Sequence, residues 1–484
     1  MLLLAVALAG GSTLLVMSLR GGGSTAAHLV PRGALSGDPL AFRPGQAAAL
    51  EQAAADGLSQ VLYAKSPGGV LVAAARTASY RPLIDQATSG TAIDPSIVEA
   101  IVFLESAGRP DVIAGNDPAA AAGLTQIVAE TGSSFLGMRV DLAKSRLLTA
   151  EIATASAHGE QAKVLRLEAK RRIVDTRFDP AKALAGTVRY LSTARTRFGR
   201  EDLAVVSYHM GIGNLENVLR AYVGTSSPDP IATLVHADGL SWARVYFSSS
   251  PAGHAGAWRR LLALSDDSQT YYWRVLAAAQ IMRLYRDDPR QLEALAYLHE
   301  RKASAEEVLH PEPVTPRFLT PGDVQHALGL GLLAVLPDDP QRLHFRIDPR
   351  LGELAPELDR SPQLYRALRP EALALLIYLA GRVHEISGTA TPLDVTSAVR
   401  DEAYQGLVAQ GNAEATTAYS LHTTGYAFDL LRRYGSPAEA RALQYELEQL
   451  QARNLITWVR EPADIHVTVS SQARVLVPSL LEPG

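Results

Sequence analysis

From Asp94 to Gly108 the chain reads DPSIVEAIVFLESAG, with apolar residues at Ile97, Ala100, Ile101 and Leu104. That spacing follows the helical period and predicts one apolar stripe. Asp94 suits the N-cap, Pro95 the first helical position and Gly108 the helix end. Helical patterning of this kind dominates from Gln46 to about Glu300, including an Ala-, Lys-, Arg- and Glu-rich stretch from Asp141 to Arg172 that reads as an exposed helical insertion. After a proline-rich segment, HPEPVTP at His310–Pro316, the pattern changes. Short runs with strand character appear at 343–347, 392–399, 425–431, 454–460 and 465–469, with helices predicted over Pro370–Ile386 and Pro437–Ala452. The expectation is a multidomain chain: a mainly α part, then an α+β part with a small antiparallel sheet.

The length, 484 residues, accommodates two or three domains. Residues 1–20 form an apolar run that reads as a signal peptide or membrane anchor. Residues 21–80 read as a linker with leading helices, 81–300 as the helical domain, 301–318 as a linker and 319–478 as the α+β domain. A formal net charge of −4, with no basic cluster interleaved with aromatics, argues against a nucleic-acid partner. There is no cysteine, which excludes thiol catalysis, disulfides and Cys-based metal sites. Any metal must be held by carboxylates and some of the 12 histidines.

Glu105 falls in the last turn of the predicted Asp94–Gly108 helix, at the negative end of its dipole and beside an apolar face. Both effects favour the protonated carboxyl, which is what a general acid needs. Ordinary glycosidases pair two carboxylates, and Asp111 or Asp117 would be the local candidates for a second. The surrounding segment, ESAGRPDVIAGNDPAAAAGLTQI at Glu105–Ile127, resembles the Glu-Ser…Gly-Leu-Met-Gln signature of the soluble lytic transglycosylase family. VRYLSTARTRFGREDLAVVSYHMGIGNLENVL at Val188–Leu219 and TYYWRVLAAAQIM at Thr270–Met282 are similar to later blocks of that family, in the same order. Asp117, Ala120, Thr125 and His209 stand where the family carries Ser, Gly, Met and usually Asn.

The resemblance implies a lysozyme-like domain that cleaves peptidoglycan strands between N-acetylmuramic acid and N-acetylglucosamine. The muramyl 6-hydroxyl attacks in place of water, which leaves 1,6-anhydro ends, and no cofactor is needed. Glu105 matches the single acid/base, and Ser106, Gln126 and Tyr208 match positions that line the cleft.

A second constellation lies in SLHTTGYAFD, at Ser420–Asp429. Tyr426 and Phe428 alternate with Ala427 and Asp429, so Asp429 points from a strand toward the small-residue face. In IHVTV, at Ile465–Val469, His466 and Thr468 likewise point away from the apolar side. His422, Asp429 and His466 would make a three-ligand Zn²⁺ site with an open position for water, and the cation would offset the buried carboxylate. Glu461, just upstream, is the candidate general base, with Asp464 as the alternative.

These residues resemble the D-alanyl-D-alanine carboxypeptidase family of zinc peptidases over roughly Leu319–Val477. SLHTTGYAFD fits Ser-x-His-x-x-Gly-x-Ala-x-Asp at every fixed position, and EPADIH at Glu461–His466 is similar to the Glu-Pro-Trp-His-type motif with two extra residues. VTSAVR at Val395–Arg400 is similar to a strand ending in a catalytic arginine. The resemblance implies zinc ligands His422, Asp429 and His466, substrate or oxyanion contact by Arg400, and substrate contact near Ser420. Both halves point to one partner, peptidoglycan, through its glycan strands and its stem peptides, in an exported or membrane-tethered chain. The alternative is a lytic transglycosylase or goose-type lysozyme whose C-terminal domain only binds peptide.

Overall fold

The computed structural model describes residues 29–32, 37–264, 266–412, 415–416 and 418–483. The apolar run at 1–20 lies outside them. The chain is mainly helical, with a small mixed sheet in its C-terminal half. No helix among the described residues is long and apolar enough to cross a membrane.

One apolar core gathers residues from Ala54 to Ala296, and a second gathers residues from Ala334 to Leu481. The helix Pro437–Ala452, found with the expected bounds, joins the two lobes. Its Tyr445 hydroxyl donates to Ser249 O at 2.6 Å, its Gln451 Nε2 donates to Gly57 O at 3.1 Å, and Ala452 packs into the first core. Gly57 has to be small here: a Cβ would stand 2.0 Å from Gln451 O. Leu29–Pro31 pairs antiparallel with Leu481–Pro483.

In the first lobe, the central helix is Pro95–Ser106, capped as expected by Asp94, whose carboxylate accepts from Ser96 N at 2.8 Å. Two details differ from the sequence reading. The helix is buried nearly all round rather than along one stripe, because the helices at 70–78, 81–88, 180–198 and 271–287 pack against it; Glu99 in its middle is offset there by Arg286 at 2.6 Å and Arg81 at 3.3 Å. It also ends one residue earlier, with Ala107 in the left-handed region. Gly108 follows in the left-handed region at φ 72°, as expected of a glycine past a helix end, and also serves close approach, since a Cβ there would lie 2.7 Å from Thr77 N. The insertion is a hairpin of two helices, Leu142–Ala157 and Gln161–Val174, with Leu147, Leu165 and Ile173 exposed.

Among the described residues of the second lobe, one sheet has five strands in the order Phe345–Ile347, Leu393–Ser397, Ala427–Leu431, Asp464–Val469, Ile456–Arg460. The expected small antiparallel sheet is therefore corrected: the first pair is parallel, and the other three are antiparallel. A parallel pair needs a long crossover, and the helix Pro370–Ser387 supplies it between Ile347 and Leu393. Phe428, Leu430, Ile465, Val467 and Val469 face the apolar core. Ala427, Asp429, His466 and Thr468 fall on the opposite face, as their alternation requires.

Candidate functional sites

Glu105 leaves the buried helix in its last turn and is only partly buried. Its Oε1 accepts a hydrogen bond from the Tyr271 hydroxyl at 2.8 Å. Tyr271 opens the helix Tyr271–Asp287, which packs along Pro95–Ser106. The His209 ring stacks on Tyr271 with centroids 5.0 Å apart, and its Nε2 meets Asp267 Oδ1 at 3.0 Å. Asp267 is also paired with Arg274. Burial pushes the Glu105 carboxyl up, while the Tyr271 hydroxyl, His209 and Arg274 pull the other way. The result is a carboxyl raised above its ordinary value, held by one defined donor.

The other residues expected around this cleft are tied to backbone. Ser106 is buried, and its hydroxyl donates to Leu124 O at 2.7 Å, which fastens the helix end to the Ala122–Ile127 turn. Gln126 Nε2 donates to Gly123 O at 2.9 Å and Val112 O at 3.2 Å. Tyr208 donates to Thr125 O at 2.8 Å, and its ring lies against Tyr271 with centroids 6.4 Å apart. Asp111 and Asp117, the candidate second carboxylates, are both engaged by the insertion hairpin. Arg171 and Arg172 hold Asp111 at 3.2 and 2.8 Å, and Arg146 holds Asp117 through two contacts of 2.9 Å. Arg177, fully buried, adds bonds to the carbonyls of Pro118, Ala120 and Ile127. The insertion therefore braces the loop that follows Glu105.

The second site is built across strands. Asp429 and His466 are directly opposite each other on adjacent antiparallel strands, and His466 Nδ1 lies 2.9 Å from Asp429 Oδ1. His422 comes from the short turn Leu421–Thr424, closed by Gly425 at φ 78°. A side chain at Gly425 would press on Leu333 at 2.8 Å. His422 Nδ1 donates to Ala398 O at 2.8 Å, which leaves Nε2 facing Asp429 Oδ2 at 3.2 Å. One donor atom from each of His422, Asp429 and His466 can be chosen so that all lie within 4.8 Å of one another, so the group could hold a metal ion.

Arg400 stands over this group. Its Nη2 is 3.4 Å from Asp429 Oδ2, while Ser397 Oγ at 2.7 Å and Gln405 Oε1 at 2.9 Å orient the guanidinium. Arg400, Ser420 and Glu461 all line a cavity of about 450 Å³ that opens over His422, Asp429 and His466. Asp464 does not line it, and accepts from Thr396 Oγ1 at 2.9 Å instead. Burial works against the Asp429 carboxylate, yet His422 and His466 hold it well below the usual carboxylate range.

Sequence reasoning missed Glu306. It lies within the segment read as a linker, but residues Glu306–Leu309 form a helical turn with Glu306 and Glu307 buried. Glu306 Oε2 meets His466 Nε2 at 3.2 Å, and Lys302 pairs with the same carboxylate. Just beyond, His310 stacks on Tyr426 and bonds Val469 O at 2.7 Å. The segment is thus part of the second lobe's wall. Burial lowers the affinity of His466 for a proton, but Asp429 and Glu306 on its two nitrogens outweigh that and push its pKa up to about 10. The sequence held one signal for this: a Glu-Glu pair just ahead of an apolar pair, in a stretch otherwise set by Pro.

Among known proteins, no family model and no curated protein matches this chain.

Proposed function

We propose that the chain is a bifunctional peptidoglycan hydrolase, with a lytic transglycosylase site at Glu105 and a zinc peptidase site at His422, Asp429 and His466. The observation that carries the reading is the convergence of the three metal donors beneath Arg400 and Ser420, in a cavity separate from the Glu105 site. Zinc fits the donor set, two imidazoles and a carboxylate, each oriented by a further contact, and its binding would displace the proton that His466 Nδ1 shares with Asp429.

At the first site, Glu105 gives its proton to the leaving glycosidic oxygen. Its raised affinity for that proton suits the role, and the Tyr271 hydroxyl fixes the carboxyl. The muramyl 6-hydroxyl closes on the anomeric carbon, and Glu105 receives its proton back by the same route. With Asp111 and Asp117 held by arginines, no local second carboxylate is called on.

Held by His422, Asp429 and His466, Zn²⁺ would supply a Lewis acid and lower the pKa of water. Glu461 would accept the proton of the attacking water, in preference to Asp464, which faces Thr396. Arg400 steadies the carbonyl oxygen as charge develops on it, and Ser420 contacts the peptide. The chain acts outside the cytoplasm, exported or tethered by residues 1–20.

Digestion of purified peptidoglycan with and without a chelator, read by mass spectrometry, tests this. Anhydro-muropeptides are expected in both digests, and trimmed peptides only without chelator. If no peptide is trimmed even with added zinc, the second lobe only binds peptide.

A further inference from the structure

A second cavity meets the first at the metal-ligand group. It also measures about 450 Å³, and the two share Arg400, Asn412, Asp429 and Glu461 in their walls. The first extends over the Ile456–Arg460 strand and the 301–307 segment, through Val459 and Arg460. The second extends the other way across the sheet, over Thr396 and Ser397 and the loop at Asp348–Leu354. Because Asp429 sits on the central strand, the two cavities form one trough that crosses the sheet with the reactive group at its middle. An enzyme that releases a single terminal residue needs one deep arm and one short, closed one. Here both arms have the volume of a small-molecule pocket.

Their charges differ as well. Apart from the shared residues, the first arm pairs Arg301 with Glu307 and Lys302 with Glu306, which leaves Arg460 as its surplus cation. The second carries Asp348, Glu353 and Asp464 against Arg350 alone. The arms therefore favour opposite ends of a zwitterionic peptide: carboxylate-bearing residues in the first and amine-bearing residues in the second.

We infer that the second site is an endopeptidase for cross-linked stem peptides, taking substrate residues in both arms and cutting an internal amide bond between them. The inference rests on the peptidase reading above. Water oxygen adds to the carbonyl carbon, and the C–N bond breaks. The nitrogen leaves with the proton that Glu461 took from water, and the remaining proton of the new carboxyl group passes to the same amine, so the products are a carboxylate and an ammonium.

The test gives the full chain, loaded with Zn²⁺, two substrates in parallel: a cross-linked disaccharide-peptide dimer and an uncross-linked disaccharide-pentapeptide. The expected result is conversion of dimer to monomers with kcat/KM at least tenfold above release of the terminal residue from the pentapeptide. Terminal release with the dimer left intact would overturn the inference and leave the peptidase reading standing. Cleavage of neither at full zinc loading would remove both. Leu407→Trp, which fills the second arm from its wall, is expected to keep its zinc and lose at least tenfold in dimer cleavage. Undiminished dimer cleavage in that variant would count against the trough.

Discussion

The two sites treat a carboxylate in opposite ways. Glu105 faces one hydroxyl and a histidine already paired with Asp267, so burial dominates and its proton is held. Asp429 is more deeply buried, yet two imidazoles and a guanidinium surround it and its proton is driven off. Burial sets the scale of the electrostatics, and the neighbours set the sign. They also differ in construction. The first site is made at helix ends, where one turn places the Glu105 carboxyl. The second needs two strands in register, a glycine-closed turn and a segment more than 100 residues upstream.

The contrast breaks hardest at the acid. Glu105→Gln keeps the shape and removes the proton, so glycan cleavage should fall about 10²–10⁴-fold. Release of anhydro-muropeptides measures it, and peptide trimming should be untouched. Next comes Glu306→Gln, which keeps the volume beside His466 but loses the carboxylate. Metal affinity should weaken about 10–100-fold, as read by competition with a chromophoric chelator. An unchanged affinity would mean that Glu306 only fills space. The smallest effect is sought in Tyr271→Phe. The tyrosine hydrogen bond favours the ionised Glu105, so its loss raises the carboxyl's pKa further. General-acid activity is lost as pH rises through that pKa, so the alkaline limb of the glycan-cleavage profile should move to higher pH. A downward shift would show that the hydroxyl stabilises the protonated form.

Much of this arrangement was legible in the sequence where it depends on local period. The helix Pro437–Ala452 and the alternation that puts Asp429 and His466 on one face follow from side-chain direction alone. Asp94 as a cap was readable because a short carboxylate at a helix start accepts from a free backbone N–H. What was not readable depends on distant partners. The helix around Ile101 is buried nearly all round because other helices pack against it, and Arg81 and Arg286 reach Glu99 from two of them. Tyr271 lies in a recognised block, but nothing local says that its hydroxyl meets Glu105. Glu306 lies in a proline-punctuated stretch with no period, and its partner is 160 positions away (466 − 306). The parallel edge pair escaped because three residues, Phe345–Ile347, carry no mark of direction.

The central claim is that Asp429 is offset by a cation while Glu105 is offset by its own proton. Metal content measures this most directly. The full chain and its His466→Ala variant are incubated with Zn²⁺, freed of excess and analysed by inductively coupled plasma mass spectrometry. The account predicts one zinc per wild-type chain and far less than one in the variant. Zinc absent from the wild type, or retained equally by both, would contradict it.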